Sequence, residues 1–284
     1  MSALRATVRQ AADRLRAAGV ASPEHDAAEL LAHVLGTTRG RLFLVDDLPA
    51  PAVERYDDLV GRRAAREPLQ HLLGTAWFRH VSVEVGPGVF VPRPETELLA
   101  GWAVERALEV VGRGEEPVVV DLCTGSGVIA KAVAHEVPQA RVHAVELDPP
   151  AHAWAERNLV GTGVELRLGD LATAFDDLAG TVHVLVSNPP YVPLEAWESV
   201  AVEARDHDPH LALFSGDDGL DAIRVIERRG GLLLRPGGVV GVEHADVQGE
   251  SAPGVFSRTG RWKEVRDHRD LADRPRYLTA RRPR

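Results

Sequence analysis

Hydrophobic residues in the first quarter of the chain recur every three or four positions, a spacing that predicts amphipathic helices. One such stripe covers residues 4–18, and another covers residues 51–66. A second helix is predicted from Ser22-Pro23-Glu24, because these residues supply a cap, a first-turn proline and an acidic group. We therefore predict a small all-α domain over 1–75, which serves either substrate recognition or stability alone.

The pattern changes over 76–94, where apolar and polar residues partly alternate before a run of glycine and proline. Trp77–Val85 has the period of a strand, and Gly86-Pro87-Gly88 follows it. This order predicts a hairpin or an extended connector. Phe90 lies between these glycines and two further prolines. It belongs either to a stiff linker or to a lid over a ligand of the next domain.

From Pro117 onward, apolar strands alternate with helical segments, which is typical of a doubly wound, mainly parallel sheet. The predicted strands are 118–122, 141–146, 164–168, 181–187 and 239–243, and the predicted helices are 126–136, 149–159 and 220–234. Two short segments near the end, 262–266 and 277–281, are expected to pair as an antiparallel edge. We predict that this α/β domain covers 95–284.

The composition is that of a globular protein, with 44% hydrophobic and 26% charged residues among 284. No apolar run approaches the roughly 20 residues that cross a bilayer, and the first residues lack the apolar core of a signal peptide. Cys123 is the only cysteine, so neither an intrachain disulfide nor a cysteine-based metal cluster can form. We expect a cytoplasmic protein without a metal ion or a membrane partner.

The net charge of −9 is unevenly spread along the chain. Residues 76–260 hold 14 basic and 28 acidic residues, a net charge of −14. Proteins that bind nucleic acid tightly need a basic surface, because neutralising phosphates supplies most of the affinity. The charge therefore argues against nucleic acid as the main substrate, while it is compatible with a cationic cofactor or a protein partner.

A glycine-rich loop, Asp121–Gly127, follows the first predicted strand and opens a helix. Glycines let the backbone approach a ligand closely, and the helix start offers free N–H groups. Gly125, Gly127 and Ala130 also match the dinucleotide fingerprint, with Glu146 placed 21 residues after Gly125. Glu146 is expected to accept hydrogen bonds from ribose hydroxyls whether the cofactor is a nicotinamide nucleotide or S-adenosylmethionine.

Two later strand ends distinguish these cofactors. Asp170 follows the third strand, where it can accept from an adenine amino group, and Leu171 can pack near the ring. Asn188-Pro189-Pro190-Tyr191 follows the fourth strand, and its prolines hold the chain rigidly. The carboxyl ends of parallel strands are where open α/β sheets bind ligands. A dehydrogenase has little use for this tetrapeptide, whereas a methyltransferase acting on a planar nitrogen does.

The tetrapeptide suits methylation because an amide or aromatic amine nitrogen is a poor nucleophile. We expect the Asn188 side-chain oxygen and the Pro189 carbonyl to accept hydrogen bonds from the NH2 group and to stabilise positive charge that develops on nitrogen. Tyr191 is expected to stack on the planar group. Since a sulfonium already carries an activated methyl group, correct placement does most of the work and no metal is required.

With these residues, the chain resembles the HemK/PrmC family of peptide chain release factor glutamine methyltransferases over nearly its whole length. The resemblance is carried by segments 67–74, 90–97 (Phe-Val-Pro-Arg-Pro-Glu-Thr-Glu), 121–127, 187–192, 213–219 and 270–276. It implies a class I S-adenosylmethionine-dependent methyltransferase, a Rossmann-like domain preceded by the helical one. The implied acceptor is the glutamine of the Gly-Gly-Gln motif in class I release factors.

The resemblance also assigns roles to residues. The implied cofactor-binding residues are Phe90, Cys123, Thr124, Gly125, Ser126, Gly127, Glu146, Asp170, Leu171 and Asn188. The implied substrate clamp is Asn188, Pro189, Pro190 and Tyr191, with Asn188, Pro189 and Tyr191 as catalytic groups. One residue departs from the family pattern, because Cys123 stands where many members have glycine and therefore has less backbone freedom.

Three alternatives remain open from the residues alone. An amino-group methyltransferase acting on nucleic acid or a ribosomal protein shares the tetrapeptide. A nicotinamide-dependent oxidoreductase shares the glycine-rich loop. A binding protein without catalysis would keep the fold. Cofactor calorimetry and a labelling assay separate these classes.

Overall fold

The computed structural model describes residues 3–45 and 48–284. Its helices, numbered along the chain, are α1 (Ala3–Ala17), α2 (Pro23–Val34), α3 (Ala50–Ala64), α4 (Leu69–Leu73), α5 (Thr96–Val111), α6 (Val128–Glu136), α7 (Pro149–Leu159), α8 (Val202–His207), α9 (His210–Leu213), α10 (Asp221–Leu233) and α11 (Ser251–Ser257). The strands are β1 (Thr75–Phe78), β2 (Val81–Glu84), β3 (Val118–Leu122), β4 (Arg141–Glu146), β5 (Glu165–Leu168), β6 (Val182–Ser187), β7 (Leu234–Glu243), β8 (Lys263–Arg269) and β9 (Pro275–Arg281).

The chain forms two compact units. The first consists of Met1–Thr75 together with Ala201–His207, and the second of Ala76–Val200 together with Asp208–Arg284. The sequence gives no sign that a segment after residue 200 belongs with the first unit. No helix in the described part of the chain is long and apolar enough to span a membrane.

The helical unit is built around the apolar stripes of α1, α2 and α3. Leu15, Leu30 and Leu31 are completely buried in its core. The Tyr56 hydroxyl of α3 donates a 2.9 Å hydrogen bond to the carbonyl of Ala27 in α2. This bond satisfies the polar end of a ring whose body fills the core, so α2 and α3 are joined by both packing and a hydrogen bond.

The second unit contains a seven-stranded sheet in the order β5-β4-β3-β6-β7-β9-β8. The strands from β5 to β7 run parallel, and β9 pairs antiparallel with both β7 and β8. This arrangement confirms the predicted fold class, a mainly parallel sheet with an antiparallel edge. Its central strands read as continuous apolar runs because helices cover both faces.

Alternate residues of the strands face two separate hydrophobic layers. Val119 of β3 and Val184 of β6 face a layer that includes Leu99 of α5 and residues of α6 and α7. Val120 of β3 and Leu185 of β6 face the opposite layer, which includes Ile223 of α10 and residues of α11. This burial on both sides fixes the strand register, because a one-residue slip would exchange the two layers.

The predicted strand boundaries differ from the structure by one to three residues at β5, β6, β8 and β9, and by five at the start of β7. β7 begins at Leu234, five residues before the predicted start at 239, and the helix before it ends at Leu233. The segment Arg235-Pro236-Gly237-Gly238 looks like a loop, because proline and glycine weaken strands. The pairing between β6 and β7 shifts register at this segment, so the irregular residues are accommodated in a bulge.

Residues 75–84 form a two-stranded hairpin of β1 and β2. Phe78 and Val83 are buried in the layer that also contains α6 and α7. Asn158 of α7 bonds both backbone groups of Glu84, accepting from its N–H at 2.7 Å and donating to its carbonyl at 2.9 Å. The hairpin is therefore fixed against the α/β unit, and the Phe90 segment that follows starts from a defined position.

Candidate active site

A pocket opens at the carboxyl ends of β3, β4 and β6. Ten of the proposed site residues line it, namely Phe90, Cys123, Thr124, Gly125, Ser126, Glu146, Leu171, Asn188, Pro190 and Tyr191. Gly127, Asp170 and Pro189 were proposed as well but do not contribute to the lining. Parallel strands end at the same edge of a sheet, which is why residues up to about a hundred positions apart in sequence meet here.

Asp121, the fourth residue of β3, holds the glycine-rich loop from inside the protein. Its Oδ2 accepts hydrogen bonds from the Thr124 hydroxyl at 2.6 Å and from the Ala130 backbone N–H at 3.2 Å. Burial raises the pKa of Asp121 to about 7, although these two hydrogen bonds lower it. Asp121 is fully buried, so it shapes the loop and the start of α6 without lining the pocket.

The loop has left-handed backbone at three positions. Cys123 has a φ of 60°, Gly125 of 58° and Gly127 of 82°. A side chain on Gly127 would meet Leu159 of α7 at about 3.0 Å, so this glycine allows close packing below the loop. Cys123 adopts a conformation that costs an ordinary residue about 1 kcal/mol or more. Burial, followed by the nearby charge of Glu146, raises the pKa of its thiol, which argues against a reactive thiolate.

Glu146, the last residue of β4, is fixed by three backbone N–H groups. Its Oε2 accepts from Gly125 at 2.8 Å, and its Oε1 accepts from Leu147 at 2.8 Å and Asp148 at 2.9 Å. Burial raises the pKa of Glu146, while these hydrogen bonds oppose the shift. A carboxylate has about four acceptor positions, so one on Oε2 remains for a ligand hydroxyl, and a second hydroxyl has to share a lone pair with an N–H group.

The turn after β5 presents Leu171 rather than Asp170. Asp170 is exposed, and its Oδ1 accepts a 2.7 Å hydrogen bond from the backbone N–H of Ala172. Its carboxylate therefore stabilises its own turn. Gly169 and Leu171 line the pocket on either side of it. The adenine-binding role of Asp170 stays a prediction, and it requires the free oxygen to reach the pocket edge.

The Asn188–Tyr191 segment starts where β6 ends. The Ser187 hydroxyl donates a 2.6 Å bond to the Leu122 carbonyl of β3, which anchors the strand end. Asn188 Nδ2 donates a 3.2 Å bond to the Thr96 hydroxyl of α5. With its nitrogen engaged, the Asn188 side chain offers its oxygen as the acceptor. Pro189 is buried, so only its carbonyl can serve a ligand.

Tyr191 is held at both its backbone and its ring. Its backbone N–H donates to the Leu213 carbonyl at 3.1 Å, and its carbonyl accepts from Gln248 Nε2 at 3.0 Å. Its hydroxyl donates to Glu243 Oε1 at 3.3 Å. Burial and then the charge of Glu243 raise the pKa of Tyr191, so the phenol stays neutral. The ring position is therefore set before any ligand arrives.

Arg93 and Asp208 hold the Phe90 segment in place. The Arg93 guanidinium lies 4.9 Å from the centre of the Phe90 ring, and its Nη2 donates to Asp208 Oδ2 at 2.8 Å. Burial raises the pKa of Asp208 to about 6, and the charge of Arg93 opposes this rise. The ion pair, in which the Asp208 side chain is fully buried, ties the pocket wall to a second chain segment.

Sequence reasoning missed four residues that support the site: Thr96, Asp208, Glu243 and Gln248. Thr96 lies in the Pro-Glu-Thr-Glu motif, and Glu243 is an acidic residue at the carboxyl end of a predicted strand. Both signals were visible in the sequence. Asp208 and Gln248 follow no motif. Among residues 3–45 and 48–284, no group of three or more histidine, cysteine or acidic side chains has an arrangement suited to a metal ion.

Comparison with known proteins gives two family matches and close relatives. Residues 6–74 match the PrmC N-terminal domain, and residues 105–205 match the methyltransferase small domain. A release factor glutamine methyltransferase from Streptomyces coelicolor is 57% identical, with 99% of each chain covered. One from Mycolicibacterium smegmatis is 47% identical, also with 99% of each chain covered.

Two further comparisons concern other acceptors. A 4-amino-L-phenylalanine/4-methylamino-L-phenylalanine methyltransferase from Streptomyces pristinaespiralis is 42% identical over 93% of this chain and 92% of its own. Among solved structures, the catalytic domain of hMettl16 in complex with a 3′UTR hairpin has a TM-score of 0.54 at 15% identity. That match covers 80% of this chain and 82% of the other. A likeness at this identity supports the fold alone.

Proposed function

The chain belongs to the release factor glutamine methyltransferases, and from this premise we propose both its cofactor and its acceptor. The methyl donor is S-adenosylmethionine. The acceptor is the side-chain amide of the glutamine in the Gly-Gly-Gln motif of class I peptide chain release factors. The observation that carries the proposal is the Asn188 amide. Thr96 engages its nitrogen, and Asn188 lines the same pocket as Glu146 and the glycine-rich loop.

The donor set of the pocket fits S-adenosylmethionine. The Glu146 carboxylate is an acceptor for a ribose hydroxyl, and Leu171 and Phe90 supply apolar walls. At Gly125 a side chain would meet nothing within 4 Å, so the backbone borders open space on the pocket side. When bound, this cofactor supplies a methyl group already activated by its sulfonium charge. The chain therefore has to orient the acceptor and exclude water.

The acceptor nitrogen is oriented by two oxygens. The Asn188 side-chain oxygen and the Pro189 carbonyl accept the two hydrogens of the glutamine NH2 group. Both acceptors stabilise positive charge on the nitrogen more strongly than they stabilise the neutral amide, so their effect is greatest in the transition state. The nitrogen then loses one of its two hydrogens as a proton to solvent, which leaves a neutral N-methyl amide. The Tyr191 ring, held by Glu243 and the Leu213 carbonyl, packs on the planar amide.

The other functions left open by the sequence receive less support. Membership of a methyltransferase family decides against a nicotinamide-dependent oxidoreductase. Nucleic acid as the acceptor is disfavoured by the net charge of −14 over 76–260. An arylamine acceptor has a specific observation in its favour, because the relative from Streptomyces pristinaespiralis is named for 4-amino-L-phenylalanine. An aniline NH2 is planar like an amide NH2, so it makes the same demands on the clamp.

The test is a competition among acceptors. The protein is incubated with methyl-labelled S-adenosylmethionine and a purified class I release factor, then with 4-amino-L-phenylalanine, and then with ribosomal RNA. We expect label on the Gly-Gly-Gln peptide after proteolysis, and none on a release factor whose motif glutamine is replaced by alanine. Preferential labelling of the arylamine or of RNA, with the release factor unlabelled, would overturn the proposal.

A further inference from the structure

Glu243 is a buried acid behind the acceptor pocket, and the methyl transfer described above does not use it directly. It is the last residue of β7, and its side chain does not line the pocket. Ser187 of β6 pairs with Val242 of β7, so Asn188 and Glu243 are the next residues on neighbouring strands. Glu243 is 1% exposed. Burying a carboxyl group there costs free energy unless it is hydrogen-bonded or paired with a charge.

Two hydroxyl groups of the site converge on this carboxyl group. The Tyr191 hydroxyl donates to Oε1 at 3.3 Å. Thr96 begins α5, the helix that packs on β7 at Gly241, and its hydroxyl lowers the pKa of Glu243, although Oε2 has no hydrogen-bond partner within the described residues. Thr96 in turn accepts the 3.2 Å bond from Asn188 Nδ2.

The charged groups around Glu243 come from several elements. Burial raises the pKa of Glu243 to about 7, the Thr96 hydroxyl and then Arg276 of β9 oppose the rise, and Glu95 adds to it. Arg276 is itself held by Asp270, whose Oδ2 accepts from its Nε at 3.2 Å and its Nη2 at 3.0 Å. The Asp270–Arg276 segment, which the proposed chemistry leaves without a role, thus supplies the positive charge that favours an ionised Glu243.

An ionised carboxylate gives the hydrogen-bond chain a direction. In its ionised form Glu243 only accepts hydrogen bonds, so a Thr96 hydroxyl that bonds to it donates its hydrogen. The Thr96 oxygen then presents lone pairs to Asn188, so Asn188 has to offer its NH2 group. The Asn188 oxygen is left for the pocket. A donor at position 243 would allow the reverse order, in which Thr96 donates to the Asn188 oxygen and removes the acceptor.

We propose that Glu243 is a positioning residue for methyl transfer: through Thr96 it holds the Asn188 oxygen toward the acceptor nitrogen, and through the Tyr191 hydroxyl it sets the ring. The inference rests on the proposed function, since it concerns the same pocket. It differs from a purely structural role for the buried acid, because it ties the effect of Glu243 to the hydroxyl of Thr96.

Steady-state kinetics with labelled cofactor and release factor test this coupling. We expect Glu243→Gln and Thr96→Val each to lower kcat by about tenfold or more, since each removes a group that orients Asn188. The KM and the calorimetric Kd for S-adenosylmethionine should stay within about twofold, which also shows that the variants fold. Thr96→Ser, which keeps the hydroxyl, should recover most of the lost kcat.

The double variant distinguishes the two roles. If Glu243 acts through Thr96, the combined Glu243→Gln, Thr96→Val protein should be about as slow as the slower single variant, because the second change removes nothing further. Multiplied losses in the double variant, or wild-type kcat in Glu243→Gln, overturn the proposal.

Glu227 provides a matched control. It is a buried carboxylate of α10 that accepts from Trp262 Nε1 at 2.8 Å and Arg261 Nη2 at 3.1 Å, and it does not line the pocket. Glu227→Gln makes the same chemical change in a comparable environment. We expect it to lower thermal stability while kcat per folded enzyme stays unchanged. An equal loss of kcat in Glu227→Gln and Glu243→Gln would count against a specific role.

A measurement without catalysis separates this inference from the proposed function. In the wild-type protein, the Asn188 side-chain NH2 protons should exchange with solvent more slowly in NMR spectra than they do in Thr96→Val and Glu243→Gln. Unchanged exchange in both variants overturns the inference, even if the release factor is methylated. If the wild-type protein leaves the release factor unlabelled, the proposed function fails, while the exchange measurement still decides about Glu243.

Discussion

At the scale of single residues, the candidate site depends on polar groups whose freedom has been removed. The carboxylate of Glu146 is fixed by three backbone N–H groups, and the amide of Asn188 is fixed by Thr96. Groups held in advance need no reorganisation during the reaction, which is the main source of electrostatic stabilisation in enzymes. Removing such a group should therefore affect turnover more than cofactor binding.

Asn188→Ala removes the side-chain acceptor and should lower kcat for release factor methylation by about a hundredfold or more. The Kd for S-adenosylmethionine should change by less than about threefold, because Glu146 and the glycine-rich loop remain. Single-turnover labelling and calorimetry measure the two quantities. As a comparison, Asn158→Ala removes a buried asparagine that binds the Glu84 backbone and donates a 2.9 Å hydrogen bond to the Ser126 carbonyl of the glycine-rich loop.

We expect Asn158→Ala to lower stability and to weaken S-adenosylmethionine binding, because it releases Ser126, while turnover at saturating cofactor stays near the wild-type value. The clamp role of Asn188 is contradicted if Asn188→Ala loses cofactor affinity and turnover by the same factor.

At the scale of elements, the Asn-Pro-Pro-Tyr segment is rigid because other segments hold it from outside. The prolines limit the local backbone, but the position of Tyr191 depends on the Leu213 carbonyl and on Gln248. Gly219, just before α10, passes closest to this support. It has a φ of 74°, and a side chain there would lie 2.2 Å from the Tyr191 carbonyl oxygen.

Gly219→Ala should destabilise the protein by about 2 kcal/mol or more, since it adds a backbone collision to the strain of a left-handed conformation. It should also lower kcat, because Tyr191 has to move. Gly163→Ala is the matched control: its φ is 78° and a side chain would meet nothing within 4 Å. We expect it to cost only the strain, about 1 kcal/mol.

Chemical denaturation and the labelling assay measure both effects. Equal losses of stability in the two glycine variants, with kcat unchanged in Gly219→Ala, would show that the loop before α10 does not support Tyr191.

At the scale of the whole molecule, α8 joins the helical unit although it lies more than a hundred residues later in the chain. Glu203 of α8 accepts from Arg63 Nη2 at 3.1 Å and from Arg66 Nε at 2.8 Å. Arg63 is 8% exposed and is also paired with Asp26 at 2.8 Å. Buried charges are costly when unpaired, so Glu203 and the two arginines depend on one another.

Glu203→Gln should lower the free energy of unfolding at pH 7 by about 1 to 2 kcal/mol, allowing for partial screening by solvent. Burial raises the pKa of Glu203, but the hydrogen bonds from Arg66 and Arg63 outweigh burial and hold the pKa at about 2. The folded-state pKa is thus below the unfolded value of about 4.3. The stabilisation is complete above about pH 5 and is lost as the pH falls through 2.

Denaturation curves at pH 7 and pH 3 should therefore show the difference between wild type and Glu203→Gln becoming smaller in acid. Asp206→Asn is the control, because Asp206 lies on the same helix and forms an exposed pair with the neighbouring Arg205 at 2.7 Å. It should leave stability unchanged. A pH-independent difference for Glu203→Gln would contradict the ion-pair explanation.

The sequence by itself determined the α/β class, the order of the strands after Pro117 and ten residues of the pocket lining. These follow from local information: apolar runs give buried strands, and polar or glycine residues at strand ends meet at one edge of a parallel sheet. Glu146 was found because it ends such a run, and Asn188 was found because it directly follows one. The start of β7 was missed because its bulge is stabilised by pairing with β6. The local sequence pattern carries no information about that pairing.

Only the tertiary structure decided which groups hold these residues in place. Thr96 and Asn188 are bonded although they lie 92 positions apart in the chain. Tyr191 and Glu243 lie 52 positions apart, and Arg63 and Glu203 lie 140 positions apart. Such contacts depend on the distance and direction between elements, which packing of the two hydrophobic layers and of the helical core sets. The residue types that do the chemistry are therefore readable in the sequence, whereas their orientation is a property of the fold.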